Sequence, residues 1–236
     1  MGQRQLRNGL SLRKFLIGMN EDLDVLTSWV RQHGLADWHS SIDATYIQSK
    51  DRPPVVTDIL ILEDRKFFSH RGFEVRAIAR GAKRRFVYGK FGGISTIDQL
   101  LVRTCFKRSE RTISRKGREI ILAYILNMHQ SKGEILAAFV NSAYFGPRLN
   151  GVDTAAEVIF GCRACDLSDN KSALIASLLP YPLPANISLD LRRKGPAPSS
   201  EEILLKYDLS NPWWVSRIKM RMSYVTQLRA KYSEVV

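Results

Sequence analysis

The chain has 236 residues, 44% of them hydrophobic and 25% charged, which is ordinary for a globular protein with a sizeable core. Its 36 Lys and Arg against 23 Asp and Glu give a formal net charge of +13, which indicates an anionic partner: nucleic acid, an anionic membrane surface or a phosphorylated substrate. Three cysteines argue against a disulfide framework, and the pair Cys162 and Cys165 lacks the further ligands of a structural zinc site.

The spacing of apolar residues predicts helices along the chain and no strand of any length. The first helix covers NEDLDVLTSWVRQHGL and stops at Gly34, and Ser95 or Thr96 caps a later one. Two helices are predicted at about 55–68 and from Glu74 to Tyr88, and a third is opened by Thr112 or Ser114. The stretch SKGEILAAFVNSAYFG is predicted to be a helix that ends at Gly146, and TAAEVIFG to be another. A further helix is stopped by Pro180, and the last runs from about Pro212 to Tyr232. We therefore expect an all-α protein, with a Pro-rich basic linker at about 181–200.

Neither a secretory signal nor a transmembrane helix is visible in the sequence. The N-terminal apolar run FLIGM is too short for the core of a signal peptide. The longest uncharged stretch, Ser172 to Leu189, is interrupted by three prolines and cannot be a membrane span.

The stretch ILEDRKFFSHRG, residues 61–72, places Glu63 and Asp64 directly after an apolar run. Burial of an unpaired carboxylate is costly, so this position can produce a carboxyl group with an altered pKa. On a helix, Glu63, Phe67 and His70 would share one face and line a cleft, with Gly72 allowing a tight exit. The alternatives are an exposed acidic pair at a helix start, and Phe67 packed inward with His70 at the surface.

Two further segments carry candidate binding residues. In GGISTIDQL, mobile glycines precede hydrogen-bonding side chains that suit hydroxyl-rich or phosphate ligands. RTCFKRSERTISRKGRE holds seven basic residues and two acids, and indicates a pyrophosphate clamp around Glu119. The alternative is a solvated basic face with helix ion pairs. Taken alone, KGEILAAFVNSAYFG, with its polar Lys132 and Asn141, and NGVDTAAEVIFG indicate core packing.

In this order, the five segments resemble the motifs of the peptidoglycan glycosyltransferase family, the transglycosylase domain of penicillin-binding proteins and of monofunctional cell-wall polymerases. EDRKFFSHRGF matches E-D-x-x-F-x-x-H-x-G-F at every defined position, and SRKGRE matches R-K-x-x-E. ISTIDQLLVRT looks like G-S-T-I-T-Q-Q-L-x-K-N, and KGEILAAFVNSAYFG is similar to K-x-E-I-L-x-x-Y-L-N-x-x-Y-F-G. The resemblance covers about Tyr46 to Pro184.

The resemblance implies a lysozyme-like, all-α fold with a cleft and a membrane-facing lobe. It implies an N-terminal helical extension (1–45), a glycosyltransferase core (46–185), and a basic linker with a C-terminal helix (186–236). The implied enzyme is an inverting transferase that polymerises lipid II into glycan strands. Glu63 would be the general base. Glu119 would hold the lipid pyrophosphate together with Arg103, Arg111, Arg115 and Lys116. The remaining expected substrate-binding residues are Asp64, Phe67, His70, Gly72, Ser95, Thr96, Gln99, Lys132 and Asn141.

The resemblance also carries expectations about cofactor, partners and place. A divalent metal, Mg²⁺ or Mn²⁺, is expected at the pyrophosphate, although the sequence identifies no ligand for it. The expected partners are lipid II, the growing glycan strand, other cell-wall synthesis proteins, and an anionic membrane surface facing the basic residues of 76–93. Nucleic acid is not expected, because the cations cluster around carboxylates. The expected location is the outer face of the bacterial cytoplasmic membrane, as a peripheral protein.

The chain departs from the family motifs at five positions. The usual Gly, Thr, Gln, Tyr and Lys are replaced by Ile94, Asp98, Leu100, Ile159 and Cys162. These changes keep open a catalytically degenerate protein that binds lipid II or cell wall. The pair of carboxylates keeps open a lysozyme-like enzyme that cleaves glycan.

Overall fold

The computed structural model describes residues 2–34, 42–48, 52–74, 95–107, 112–192 and 197–232, with the side chains of the first helix from residue 17. Helices make up most of this part, which confirms the predicted all-α class. The helices are α1 (Gly2–Gly34), α2 (Ala44–Gln48), α3 (Pro54–Glu63), α4 (Ile97–Phe106), α5 (Ile113–His129), α6 (Lys132–Ser142), α7 (Val152–Phe160), α8 (Asp169–Ser177), α9 (Ala185–Leu191), α10 (Ser200–Lys206) and α11 (Pro212–Tyr232). Strands β1 (Tyr144–Gly146) and β2 (Leu149–Asn150) form one antiparallel hairpin.

Helix α6 lies at the centre of the core. Its sequence is apolar on nearly every face, which is the pattern of a helix buried all round. Ser131 and Glu134 form a capping box that satisfies the first backbone N–H groups of the helix. Helices α1, α2 and α4 pack against it, so the N-terminal helix is part of the core structure.

A second group of helices comprises α3, α8 and α11, which pack against one another. Asp58 of α3 is fully buried and accepts hydrogen bonds from Ser172 of α8 and from Arg229 of α11, whose Nε and Nη2 lie 3.0 and 2.6 Å from its two oxygens. Trp214 and Val215 of α11 are buried as well. The ion pair attaches the C-terminal helix to α3, and the two buried side chains attach its first turn to the core.

Helix α3 ends at Glu63, five residues before the predicted end. Asp64 has extended backbone (φ −157°), and its carboxylate accepts the N–H of Ile97 at 3.1 Å. Residues Phe67–Ser69 form a separate 3₁₀ turn. The prediction that Glu63, Phe67 and His70 share one helical face is therefore wrong, because a contact with a distant segment replaces the next helical turn.

Two further predictions needed correction. Helix α6 stops at Ser142, because the next residues enter β1 and turn back through Arg148, whose φ is +60°. The predicted linker contains helix α9. Residues 75–88 of the helix predicted from Glu74 to Tyr88, the glycine-rich break after them and Ile94 lie outside the described residues.

Several element boundaries agree with the predictions. Thr96 and Thr112 cap α4 and α5 by accepting the N–H of the residue three positions on, and α11 has the predicted bounds. In the described part of the chain, no helix combines the length and apolar character that crossing a membrane requires. The division into extension, core and C-terminal segment stays a prediction.

Candidate active site

Glu63 is the last residue of α3, and its carboxylate is nearly buried. Oε1 accepts a hydrogen bond from Nη2 of Arg221, which lies on α11. Burial raises the pKa of Glu63, Arg221 opposes that rise, and the neighbouring Asp64 adds to it. The site therefore holds a carboxyl group that binds a proton more readily than a free glutamate does.

Asp64 joins the first motif to the start of α4. Its Oδ2 accepts hydrogen bonds from Nε2 of His70 at 2.9 Å and from the N–H of Ile97 at 3.1 Å. The N-terminus of a helix favours a negative charge, so α4 contributes to holding this carboxylate. Asp64 is buried, and we interpret it as a residue that fixes the loop after Glu63.

Asp98 lies on the other side of His70 and is completely buried. Its Oδ1 accepts hydrogen bonds from Lys132 Nζ at 2.8 Å and Asn127 Nδ2 at 2.7 Å, and its Oδ2 faces His70 Nδ1 at 3.9 Å. Lys132 Nζ also lies 4.1 Å from the ring centroid of Phe67. Burial lowers the pKa of Lys132, and Asp98 opposes that change. These contacts place Phe67, His70 and Lys132 in one buried cluster.

Gly72 connects the first motif to the second. Its φ is +83°, and an added Cβ would lie 2.5 Å from the backbone carbonyl of Ala123, so only glycine fits there. The carbonyl oxygen of Gly72 accepts hydrogen bonds from Oγ1 of Thr96 at 2.8 Å and from Nε2 of Gln99 at 3.2 Å. These three residues thus bind one another, which indicates a structural role for Thr96 and for the amide group of Gln99.

Glu119 of α5 is buried among three cations. Both of its oxygens accept hydrogen bonds from Arg103: Nε lies 3.2 Å from Oε1, and Nη2 lies 3.3 Å from Oε2. Oε1 also accepts a hydrogen bond from Nη1 of Arg115. Lys116 Nζ lies 3.7 Å from Oε2. The structure therefore brings together the carboxylate and three of the four cations predicted for the clamp. The fourth, Arg111, lies outside the described residues.

Lys116 extends this cluster to the start of α4. Its Nζ donates to Oγ of Ser95 at 2.9 Å and to Oε1 of Gln99, and Arg103 Nη2 lies 3.3 Å from the same Oγ. Burial lowers the pKa of Lys116 to about 8, Glu119 opposes that change, and the neighbouring arginines add to it. The side chains of Lys116 and Arg103 are 28% and 35% exposed, so both are partly accessible to a ligand. We call Ser95, Arg103, Arg115, Lys116 and Glu119 the basic cluster.

Asn141 donates its hydrogen bonds to backbone carbonyls outside the buried cluster and the basic cluster. Its Nδ2 donates to the backbone carbonyls of His33 and Ile42, each at 2.9 Å, and so ties α6 to the segments around α1 and α2. It lines an open cavity of about 640 Å³ that Trp29 and Arg103 also line. Its contacts are structural, and its predicted substrate contact stays a prediction.

The basic cluster does not fit a divalent metal, because both oxygens of Glu119 already accept from cationic donors. Among the described residues, metal-ligand types meet at Asp64, His70 and Asp98, whose donor atoms lie within 4.8 Å of one another. There, Lys132 already neutralises Asp98. The expected metal stays a prediction.

Arg221 is the functional candidate that sequence reasoning missed. It lies on α11, 158 residues from Glu63, outside every motif. A basic residue on the C-terminal helix carries no sequence signal that would distinguish it from its neighbours Arg217 and Lys219. Only the packing of α11 against α3 reveals the contact.

Comparison with known proteins identifies relatives for most of the chain. The chain is 32% identical to penicillin-binding protein 1A of Neisseria gonorrhoeae over 163 residues, which are 68% of the chain and 20% of that protein. It is 37% identical to the biosynthetic peptidoglycan transglycosylase of Alcanivorax borkumensis over 125 residues, 52% of the chain and 51% of the relative. The corresponding protein of Acinetobacter baumannii is 36% identical over 125 residues, 52% of the chain and 56% of the relative.

The chain thus spans about a fifth to about half of the length of these relatives. The sequence profile of the transglycosylase family matches residues 32–199. That match includes both carboxylates, the basic cluster and Gly72. This chain therefore belongs to the transglycosylase family.

Proposed function

We propose that this protein is a peptidoglycan glycosyltransferase that polymerises lipid II into glycan strands by an inverting displacement. The observation that carries the proposal is that the start of α4 binds both the loop after Glu63 and the basic cluster. The loop after Glu63 is held there by Asp64 and Ile97, and the basic cluster is held there by Ser95 and Lys116. The loop that follows the proposed proton acceptor and the proposed site for an anionic leaving group are thus both attached to the start of α4.

Glu63 is the proposed general base. It takes the proton from the 4-hydroxyl of the acceptor sugar while that oxygen forms a bond to the anomeric carbon of the donor strand. The bond from that carbon to the lipid pyrophosphate breaks, and its electron pair leaves with the pyrophosphate oxygen. Burial raises the pKa of Glu63, and a base with a pKa closer to the working pH transfers protons more effectively.

The basic cluster is the proposed binding site of the leaving pyrophosphate. Three cations surround one carboxylate, so the cluster keeps two positive charges for the two negative charges of a pyrophosphate diester. Arg103 presents a fork of donors and Lys116 a point charge. Glu119 would hold these donors in place before substrate arrives, so that they stabilise charge where it develops in the transition state.

The same contacts disfavour the glycan-cleaving alternative. A glycosidase needs two carboxyl groups, one that donates a proton to the leaving oxygen and one that acts as base or nucleophile. Glu63, whose pKa burial raises, fits the first role, so Glu119 would have to fill the second. Both oxygens of Glu119 accept hydrogen bonds from Arg103, and Oε1 also accepts one from Arg115, so neither oxygen is available for that role. A hydrolase would also have no anion for the remaining cations to hold.

Place and partners follow from the proposed reaction. Lipid II and the glycan strand are the proposed substrates, and the outer face of the cytoplasmic membrane is the proposed place of work, with its anionic lipids as a contact. Contacts with other cell-wall synthesis proteins are proposed from the family alone. No step of the reaction described here depends on the expected divalent metal.

The test is glycan-strand formation from labelled lipid II in detergent. Glu63→Gln should lower the rate by about 10²- to 10⁴-fold, the usual contribution of a general base. Glu157→Gln, the same change at an exposed glutamate of α7, should leave the rate unchanged. Lipid II bound without polymer from the wild type would favour the degenerate binder, and soluble fragments released from cell wall would favour the glycan-cleaving enzyme.

A further inference from the structure

The pairing of Glu63 with Arg221 joins the proposed base to a part of the chain outside the family match. The match ends at residue 199, and Arg221 lies at the middle of helix α11. Its Nη2 donates to Oε1 of Glu63, and both side chains are almost buried, at 17% and 16% exposure. The contact therefore operates where water screens charge poorly.

Helix α11 holds Arg221 firmly in place. Ile218 and Val225, one turn to either side, are completely buried. Two turns on, Arg229 forms the buried ion pair with Asp58, which belongs to the same helix as Glu63. Arg221 is thus carried on a rigid element fixed to α3, as a preorganised site requires.

The contact engages only one oxygen of the carboxylate. Arg221 donates to Glu63 through Nη2 alone, and its Nε is buried with no hydrogen-bond partner in the described part of the chain. Within that part, Oε2 of Glu63 accepts no hydrogen bond. A bidentate fork would have occupied both oxygens, whereas this arrangement leaves one available.

We propose that Arg221 is a positioning residue for Glu63, which fixes Oε1 so that Oε2 faces the acceptor hydroxyl and takes its proton. This inference rests on the proposed function. The positive charge also favours the ionised carboxylate, which is the form that can accept a proton. Arg221 touches no reacting atom itself, so its removal should affect the rate constant more than substrate affinity.

The experiment compares Arg221→Met with Arg217→Met. Both changes remove one positive charge from α11, but Arg217 lies over the ring of Trp213 at 5.5 Å, away from Glu63. Arg221→Met should lower kcat about 10- to 100-fold, the effect of one charge-assisted hydrogen bond, with KM for lipid II changed less than about twofold. Arg217→Met should leave both unchanged.

The pH profile separates positioning from a purely structural role. Without Arg221, burial and Asp64 both raise the pKa of Glu63 unopposed, so the acidic limb of kcat/KM should move to higher pH. Arg221→Lys restores the charge and should return that limb towards its wild-type position. If Arg221→Met does not fold, Arg221→Gln, which lacks the charge but keeps a donor, takes its place.

Two results would overturn the inference: wild-type kcat in Arg221→Met, or a lowered kcat with an unmoved acidic limb. Failure of the proposed function is distinguishable from either. It would be seen as the absence of polymer from the wild type and from Arg217→Met alike, and the inference would fall with it.

Discussion

The perturbed lysine of the basic cluster gives a quantitative prediction for substrate binding. Burial lowers the pKa of Lys116 to about 8, so about ten in eleven molecules carry a protonated Lys116 at pH 7 and about one in eleven at pH 9. If the pyrophosphate binds the protonated form, the Kd for lipid II should rise about tenfold between these pH values.

The assay is fluorescence polarisation of a labelled short-chain lipid II bound to Glu63→Gln, in which turnover does not interfere. The pyrophosphate diester has no proton to lose in this range, so the protein alone sets the pH dependence. Lys116→Arg is the matched control, because a guanidinium stays charged throughout. Its Kd should change less than about twofold from pH 7 to pH 9.

A wild-type Kd that stays constant from pH 7 to pH 9 would refute the reasoning. An equal rise in Lys116→Arg would refute it as well, because some other group would then be titrating. Either result would mean that Lys116 does not lose a charge needed for anion binding between pH 7 and pH 9.

Two further predictions concern stability, measured by thermal or urea unfolding. Gly72→Ala should lower the free energy of unfolding by at least about 1–3 kcal/mol, since the backbone has φ of +83° and the added Cβ would meet Ala123. Gly117→Ala, the same change at an open position in α5, should raise the free energy of unfolding by up to about 1 kcal/mol. Asp98→Asn should lower the free energy of unfolding by on the order of 3 kcal/mol, because it leaves the buried Lys132 without its carboxylate partner. The double variant Asp98→Asn with Lys132→Met should recover most of that loss. Equal stability of Gly72→Ala and the wild type, or no recovery in the double variant, would contradict these accounts.

The parts of the fold that the sequence predicts depend on local contacts. Thr96 and Thr112 cap helices by binding a backbone N–H three residues away, so the cap and its partner lie within one window of sequence. Within the basic cluster, Glu119 meets Arg115 four residues back and Lys116 three residues back on the same helix. Helix periodicity is enough to predict both.

The parts that sequence reasoning missed depend on contacts between distant segments. Asp64 ends α3 because it binds the N–H of Ile97, 33 residues on, and no pattern near Asp64 indicates that partner. The hairpin after α6 is too short for an alternating pattern and turns at Arg148, where a glycine would have been the usual signal. The contact between Glu63 and Arg221 spans 158 residues.

The buried ion pair between Asp58 and Arg229 has a consequence for anyone who isolates the catalytic part of this chain. A fragment cut at residue 199, the end of the family match, would keep every motif and yet lose the cation of that pair. Asp58 would retain Ser172 as a donor, but the cut would also remove the helix that packs on α3 and α8, and with it Arg221, the partner of Glu63. Such a fragment would lack both a stabilising contact of α3 and the proposed positioning contact of Glu63, so the smallest useful unit of this protein extends through α11.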